Sequence, residues 1–205
     1  MNDQGKVFIV DDDAEVRKAL ARLLRASGFQ VEPSASAQDF LVRSEGTSSG
    51  CAVLDYQMPG LTGLDLQQAL AVRGGQWQIV FLTAHADVPL SVRAMKAGAV
   101  DFLVKPADGP QLIAAVRRAI ERAAQVETDE ATVAAARARV ATLSARERQV
   151  LGHVIAGRLN KQIAGELGTA EKTVKIQRAA MMEKMGVRSV ADLVRLSAKA
   201  GVEPS

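Results

Sequence analysis

Four stretches of the chain with the composition of buried β-strands each run directly into a polar residue able to do chemistry. Residues 6–10 are followed by Asp11, Asp12 and Asp13, and residues 51–54 by Asp55. Residues 79–82 lead into Thr83, and residues 101–104 into Lys105 and Pro106. In a sheet with helices on both faces, ligands collect beyond the carboxyl ends of the strands, so these residues should meet. Carboxylates held a few ångströms apart repel, and they take up protons unless a cation joins them. The donors are hard oxygens with no His or Cys among them, which suits Mg2+ (or Mn2+) with waters retained. A lysine and a hydroxyl beside such a metal neutralise and position the oxygens of a transferring phosphoryl group. Asp55 is the natural nucleophile, because a carboxylate can carry an acyl phosphate. Singly, each residue has a bland reading. Asp13 reads as the cap of a helix starting at Ala14, Thr83 as another cap, and Lys105 as a solvated charge. Four such residues at successive strand ends outweigh those readings.

The elements that must hold these residues follow a βαβ rhythm over roughly the first 120 residues. A weaker strand falls at 30–32, and helical spacing of apolar residues appears at 14–26, 37–42, 64–72 and 89–97. A last helix of this region starts near Pro110, with Leu112, Val116 and Ile120 on one face. Four of the strands are near-continuous apolar runs, as expected of parallel strands covered on both sides. The fold class is therefore α/β with a doubly wound parallel sheet.

At 205 residues, 48% of them apolar, the chain is long enough for two domains with cores of their own. No run approaches the ~18 apolar residues of a membrane span. The apolar stretch 7–10 is too short, and its flank too acidic, for a signal peptide. Cys51 is the single cysteine, which excludes an internal disulfide and argues against a Cys-based metal site. A cytoplasmic protein without a membrane partner is expected. Charge is lopsided: residues 1–125 hold 13 Lys+Arg against 14 Asp+Glu, whereas residues 137–202 hold 13 against 5. All seven aromatic residues precede residue 103. The asymmetry points to an acidic module joined to one that binds a polyanion.

Between about residue 122 and residue 141, Val126, Val133 and Val140 recur at sevens, but Glu130 and Arg137 interrupt the seam. This reads as a helical linker rather than a strong coiled coil. Thr128 offers a cap within it, so one helix or two are both open. Beyond it lie four short helices. Ser144 and Glu147 form a capping box, and Gly157 follows that helix. Asn160 is placed as the cap of 161–167, a helix at 172–185 stops at Gly186, and Ser189 with Asp192 opens the last. A short helix, a glycine turn and a longer basic helix form the helix-turn-helix pattern. On 172–185, Lys172, Lys175, Ile176, Ala179 and Glu183 share a face, with Val174, Met181 and Met185 opposite and Gln177 and Arg178 marginal. The apolar stripe is core. The other face is either merely solvated or a surface for the DNA major groove, and the local charge of +8 favours DNA.

The segments Val10-Asp11-Asp12, Leu54-Asp55-Tyr56-Gln57-Met58-Pro59-Gly60, Leu82-Thr83-Ala84 and Asp101-Phe102-Leu103-Val104-Lys105-Pro106 resemble the receiver domain of two-component response regulators. The resemblance covers about residues 5–125 and implies a five-stranded sheet in the order 2-1-3-4-5. It implies that Asp55 accepts a phosphoryl group from a sensor histidine kinase. Asp11, Asp12, Asp55 and the Gln57 backbone carbonyl would bind Mg2+, and Lys105 would contact the phosphoryl oxygens. Thr83 and Phe102 would form a two-state switch, Gln57 and His85 would tune phosphate lifetime, and the Lys105-Pro106 bond would be cis. Val92 and Lys96 are the implied contacts of a homodimer formed on phosphorylation. Ala107 departs from a common Phe.

Residues 143–196, opening Leu143-Ser144-Ala145-Arg146-Glu147-Arg148-Gln149-Val150-Leu151, resemble the LuxR-type DNA-binding domain. Asn160-Lys161-Gln162-Ile163-Ala164, Leu167-Gly168, Glu171-Lys172-Thr173-Val174-Lys175 and Val187-Arg188-Ser189 carry the match. The whole chain thus resembles a response regulator of the NarL/FixJ family, nearest the FixJ-like branch. The implied domains are a receiver at 1–122, a helical linker at 123–141 and a DNA-binding domain at 142–205. Lys175, Ile176 and Ala179 would face base edges, while Lys161, Lys172, Thr173, Arg178 and Lys184 would meet phosphates of double-stranded DNA. RNA polymerase is a further candidate partner. Gln177, Ala180 and Thr169 depart from the usual His, Asn and Ile. A rival enzyme reading is a haloacid-dehalogenase-type phosphatase with Asp11 as nucleophile and Asp13 as acid, but Glu15 and the lack of a later G-D-x-x-x-D motif stand against it. The lack of aromatics after residue 103 stands against a single-stranded RNA target. A protein controlled by phosphorylation, and not a turnover enzyme, is expected.

Overall fold

The computed structural model describes residues 5–47, 49–84 and 87–205. The elements of its first part are β1 (Lys6–Val10), α1 (Ala14–Ala26), β2 (Gln30–Ser34), α2 (Ala37–Arg43), β3 (Ser49–Asp55), α3 (Gly63–Val72), β4 (Gln76–Thr83), α4 (Val88–Lys96) and β5 (Asp101–Val104). There follow α5 (Gly109–Ala141), α6 (Ala145–Ile155), α7 (Asn160–Glu166), α8 (Glu171–Met185) and α9 (Val190–Ala200). The chain divides into two compact units, Met1–Glu127 and Thr128–Ser205.

In the first unit all strand pairs are parallel, in the order β2-β1-β3-β4-β5. Each strand alternates its side chains between two cores, because successive residues of a strand point to opposite faces. Val7, Ile9, Cys51, Val53, Val80 and Leu82 pack one face, with Ala21 and Leu24 of α1 and Leu112, Ala115, Val116 and Ala119 of α5. Phe8, Val10, Ala52, Leu54, Ile79 and Phe81 pack the other, with Phe40 of α2, Leu66 and Leu70 of α3 and Ala94 of α4. Burial on both faces is the reason the strands read as unbroken apolar runs. β2 extends through Pro33, two residues past the expected strand; it lies at the sheet edge, where proline's missing N–H breaks no inner ladder. Aromatic rings form two groups: Phe8, Phe40 and Trp77, edge-on with centroids 5.1–5.4 Å apart, and Tyr56, Phe81 and Phe102 at 6.0–6.3 Å, with Tyr56 edge-on to both and Phe81 tilted against Phe102.

α5 is a single helix of 33 residues. Pro110 stands in its first turn, where a missing N–H costs nothing, and no further Gly or Pro interrupts it. It runs through Thr128, whose carbonyl accepts from the Thr132 hydroxyl at 2.8 Å, so Thr128 is not a cap. In the second unit Leu143, Val150, Leu151, Ile163, Val174, Met181, Met185 and Leu193 form an entirely aliphatic and thioether core. The capping box at α6 is present: the Glu147 N–H donates to Ser144 Oγ at 3.2 Å, and the Ser144 N–H to Glu147 Oε2 at 2.7 Å. Asn160 differs from expectation. It is the first residue of α7 rather than its cap; Gln162 Oε1 accepts from the Leu159 N–H at 2.8 Å instead.

The tightest backbone approach near the strand ends is at Gly63, the first residue of α3. Its N–H donates to the Tyr56 carbonyl at 3.0 Å. A Cβ there would lie 2.4 Å from the Asp55 carbonyl oxygen and 3.0 Å from the Phe81 ring. Gly63→Ala is therefore expected to cost about 1–3 kcal/mol through overpacking, lowering the first unit's thermal midpoint by ~5 °C or more. Calorimetry of the full chain checks this; an unchanged midpoint would mean that the Asp55 backbone yields without cost.

Candidate functional site

The carboxyl ends of four strands deliver the expected residues to one place. Asp11 follows β1, Asp55 and Thr83 end β3 and β4, and Lys105 follows β5. Lys105 Nζ donates to Asp11 Oδ2 at 2.6 Å and to Asp55 Oδ2 at 2.9 Å. The second oxygen of each carboxylate takes a backbone donor: Asp13 N–H to Asp11 Oδ1 at 2.9 Å, and Gln57 N–H to Asp55 Oδ1 at 3.2 Å. Arg17 Nη1 donates to the Asp11 carbonyl at 2.6 Å, fixing the turn after β1 from α1. Asp11 and Asp55 are buried and Asp12 is exposed.

Burial pushes the Asp11 carboxyl above its ordinary range, against the opposing pull of the Lys105 hydrogen bond. For Lys105 burial works the other way, but hydrogen bonds to Asp11 and Asp55 outweigh it and raise the ammonium above its usual value. One oxygen from each of Asp11, Asp12 and Asp55 lies within 4.8 Å of the others. One ammonium faces three carboxyl groups, so the pocket is short of positive charge. An all-oxygen donor set of this size fits a hard divalent cation such as Mg2+.

Asp13 is otherwise engaged. Its carboxylate caps α1, accepting from the Glu15 and Val16 N–H groups at 2.8 and 3.2 Å. Those backbone bonds, Val16 first, hold it below the ordinary carboxylate range, which does not suit the general acid of a phosphatase. Thr83 is fully buried, and its carbonyl accepts from the Lys105 N–H at 2.7 Å. Phe102 is half-buried against Tyr56 and Phe81. Gln57 is exposed, and His85 lies outside the described residues. The Lys105-Pro106 bond is cis. Cys51 is buried, its thiol pushed up to about 12, and takes no part in the site.

On α4, Val92 and Lys96 are exposed one turn apart. Sequence reasoning missed their neighbours Val88 and Met95, which extend the stripe at helical spacing, and Val104 on β5; all three are exposed. The signal was present as a second apolar stripe on a helix whose Leu90 and Ala94 already face the core.

In the second unit the exposed face of α8 presents Lys172, Lys175, Ile176 and Ala179, with Ile176 62% exposed. Lys175 Nζ lies 3.1 Å from Glu171, a solvated pair that holds it weakly. Lys161 is exposed on α7, and Thr173 is half-buried. Arg178 is half-buried and donates from Nη1 to Asn160 Oδ1 at 2.9 Å, tying α8 to α7. Gln177 and Ala180 are half-buried too, so these two departures from the family pattern lie off the exposed face. Lys184 is exposed, and its Nζ donates to Glu147 Oε2 at 2.7 Å, joining α8 to the capping box of α6.

Two expectations follow for this pair. Lys184→Met lowers the thermal midpoint of the second unit but leaves the salt dependence of DNA binding unchanged, whereas Lys172→Met reduces the log–log salt slope by about 1. Titrating binding against salt separates the two. The hydrogen bond from Lys184, then that from the Ser144 backbone, holds the Glu147 carboxyl below the glutamate range. A depressed folded-state pKa stabilises above the unfolded value of about 4.3. That stabilisation is lost as pH falls through the folded value. Thermal melts below that pH should show a decline that Glu147→Gln makes shallower; an unaltered decline would place the acid lability elsewhere.

Comparison with known proteins agrees with this geometry. Residues 7–117 match the family described as "Response regulator receiver domain", and residues 141–197 that described as "Bacterial regulatory proteins, luxR family". The chain is 45% identical over 196 residues to Nodulation protein W of Bradyrhizobium diazoefficiens, covering 96% of this chain and 86% of that protein. It is 44% identical over 205 residues to Transcriptional regulatory protein FixJ of Azorhizobium caulinodans, covering 100% and 97%. Among solved structures, that of response regulator StyR superposes with a TM-score of 0.85 at 46% identity, covering 95% of this chain and 98% of that one. Strand order, the acidic pocket and full-length similarity agree: the chain belongs to the response regulators that join a receiver domain to a LuxR-type DNA-binding domain and control transcription through phosphorylation.

Proposed function

We propose that Asp55 is the phosphoacceptor and that its phosphorylation promotes a homodimer that reads double-stranded DNA through α8. The observation that carries the first half is the Lys105 ammonium, 2.6 Å from Asp11 and 2.9 Å from Asp55, beside Asp12. Asp11, Asp12, Asp55 and the Gln57 backbone carbonyl would hold Mg2+ (or Mn2+). When bound, the metal supplies charge neutralisation for the transferring phosphoryl group.

The chain's own residues do the rest. An Asp55 carboxylate oxygen attacks the phosphorus of a phosphohistidine on a sensor histidine kinase; the O–P bond forms as the N–P bond breaks, and the imidazole nitrogen keeps the electron pair. Lys105 exchanges Asp55 Oδ2 for a phosphoryl oxygen while Asp11 keeps its ammonium in place. The Thr83 hydroxyl turns to the phosphoryl group, and Phe102 moves from its half-buried position into the space that opens. The altered β5–α4 surface, with Val92 and Lys96 and the apolar Val88, Met95 and Val104, then forms the dimer contact. Two DNA-binding domains engage two half-sites, and affinity multiplies through effective concentration. Lys175, Ile176 and Ala179 face base edges, while Lys161, Lys172, Thr173 and Arg178 meet phosphates. Lys184 acts through Glu147 rather than at the DNA. The phosphoryl group is lost slowly to water, so the protein is a switch and not a turnover enzyme. We place the protein in the cytoplasm, acting near RNA polymerase; no helix among the described residues is long and apolar enough to cross a membrane.

Incubation with acetyl phosphate and Mg2+ should label the unaltered chain stoichiometrically, and Asp55→Asn or removal of divalent metal should abolish the label. Labelling that persists in Asp55→Asn would sink the assignment.

A further inference from the structure

The last turns of α5 belong structurally to the second unit. Ala136 is fully buried, and Val140 packs against the core that holds Met181 and Met185 of α8. Between them, Arg139 donates from Nη1 to the backbone carbonyl of Met185 at 3.1 Å, a bond spanning 46 residues of sequence. Met185 is the last residue of α8, and the final carbonyls of a helix have no partner within it. The chain satisfies two of them itself: the Gly186 N–H donates to the Glu183 carbonyl at 2.9 Å, and the Val187 N–H to the Met182 carbonyl at 3.1 Å. The Met185 carbonyl is satisfied from another helix, by a cation at the negative end of the α8 dipole. Gly186 closes α8 at a φ of +66°, and a Cβ there would stand 3.3 Å from Arg139 Nη1. Glycine thus provides the left-handed turn and also leaves room for the guanidinium.

We infer that Arg139 is a positioning residue for DNA reading, which sets the pitch of α8 by tying its C-terminal carbonyl to α5. The inference rests on the reading of α8 as the helix that enters the groove. Beyond the side-chain ties Arg178–Asn160 and Lys184–Glu147, Val174, Met181 and Met185 hold α8 along a single buried stripe. Such apolar contact is non-directional and resists rocking or sliding weakly. A guanidinium–carbonyl hydrogen bond is directional, and it anchors the C-terminal end of the helix, so that a small tilt about that end is carried along α8 to Ala179, Ile176 and Lys175. Base-edge contacts depend on that placement, whereas phosphate contacts tolerate its loss.

The test uses the full chain with beryllofluoride and Mg2+. Two probes are compared: duplexes enriched by the unaltered protein from a random-sequence pool, and the unselected pool itself. Arg139→Met keeps an unbranched stem beside Gly186 and removes only the donor. It should weaken binding to the enriched duplexes by about tenfold, equivalent to about 1.4 kcal/mol. Affinity for the unselected pool should stay within about twofold, with an unchanged salt slope. Arg139→Lys should recover most of the loss. Unaltered affinity for the enriched duplexes would overturn the inference. So would parallel loss on both probes with a lowered thermal midpoint, which marks a fold defect. Lys175→Ala tells the two levels apart: if it weakens enriched binding and Arg139→Met does not, only the positioning role falls. If Lys175→Ala has no effect, the reading of α8 falls with it.

Discussion

The receiver unit depends on holding like charges together at the edge of a hydrophobic sheet. Asp11 and Asp55 are buried carboxyls, and Lys105 bridges them. Removing carboxylates from water is costly, and the Lys105 ammonium offsets part of that cost. The backbone shares the load, with amides of Asp13 and Gln57 on the remaining oxygens and Arg17 on the Asp11 carbonyl. Even so, the pocket remains short of positive charge, a deficit that fits a hard divalent cation.

That constraint explains the surrounding architecture. Parallel order places β1, β3, β4 and β5 with their carboxyl ends on one side, so residues far apart in sequence converge without any loop reaching across the domain. Close approach behind Asp55 is secured by Gly63, where any side chain would strike the Asp55 carbonyl. α4 stands apart from this rigidity. Its N-cap residue, Asp87, makes no side-chain capping bond, only Ala94 is buried, and Val88, Val92 and Met95 are exposed. An element with so few buried side chains is displaced at low cost.

The second unit uses charge differently. Lys184 is directed at Glu147 and Arg139 at the end of α8, so both serve geometry. Lys172, Lys175 and Lys161 stay at the surface, where counterion release favours binding to a polyanion. The core contains no aromatic residue, and its thioethers and branched chains suffice for a small helical unit whose target is a duplex read by helix geometry rather than by stacking.

Sequence alone determined the strand ends, the identity of the acidic pocket, the two-domain character and the helix-turn-helix, because these rest on local properties. Hydrophobic period, glycine stops and the Ser144–Glu147 box are written in neighbouring residues. What tertiary structure decided was the partner of each long side chain. Nothing near Lys184 says that Glu147, 37 residues away, will take its ammonium, and Asn160 looked like a cap until Arg178 claimed its oxygen. The continuity of α5 was open in sequence, since Thr128 serves equally as cap or as helix interior; burial of Ala136 and packing of Val140 on the second core favour the helix. Lysine and arginine carry their charge at the end of flexible stems, so composition fixes how many cations there are, and only the fold fixes which of them face a ligand.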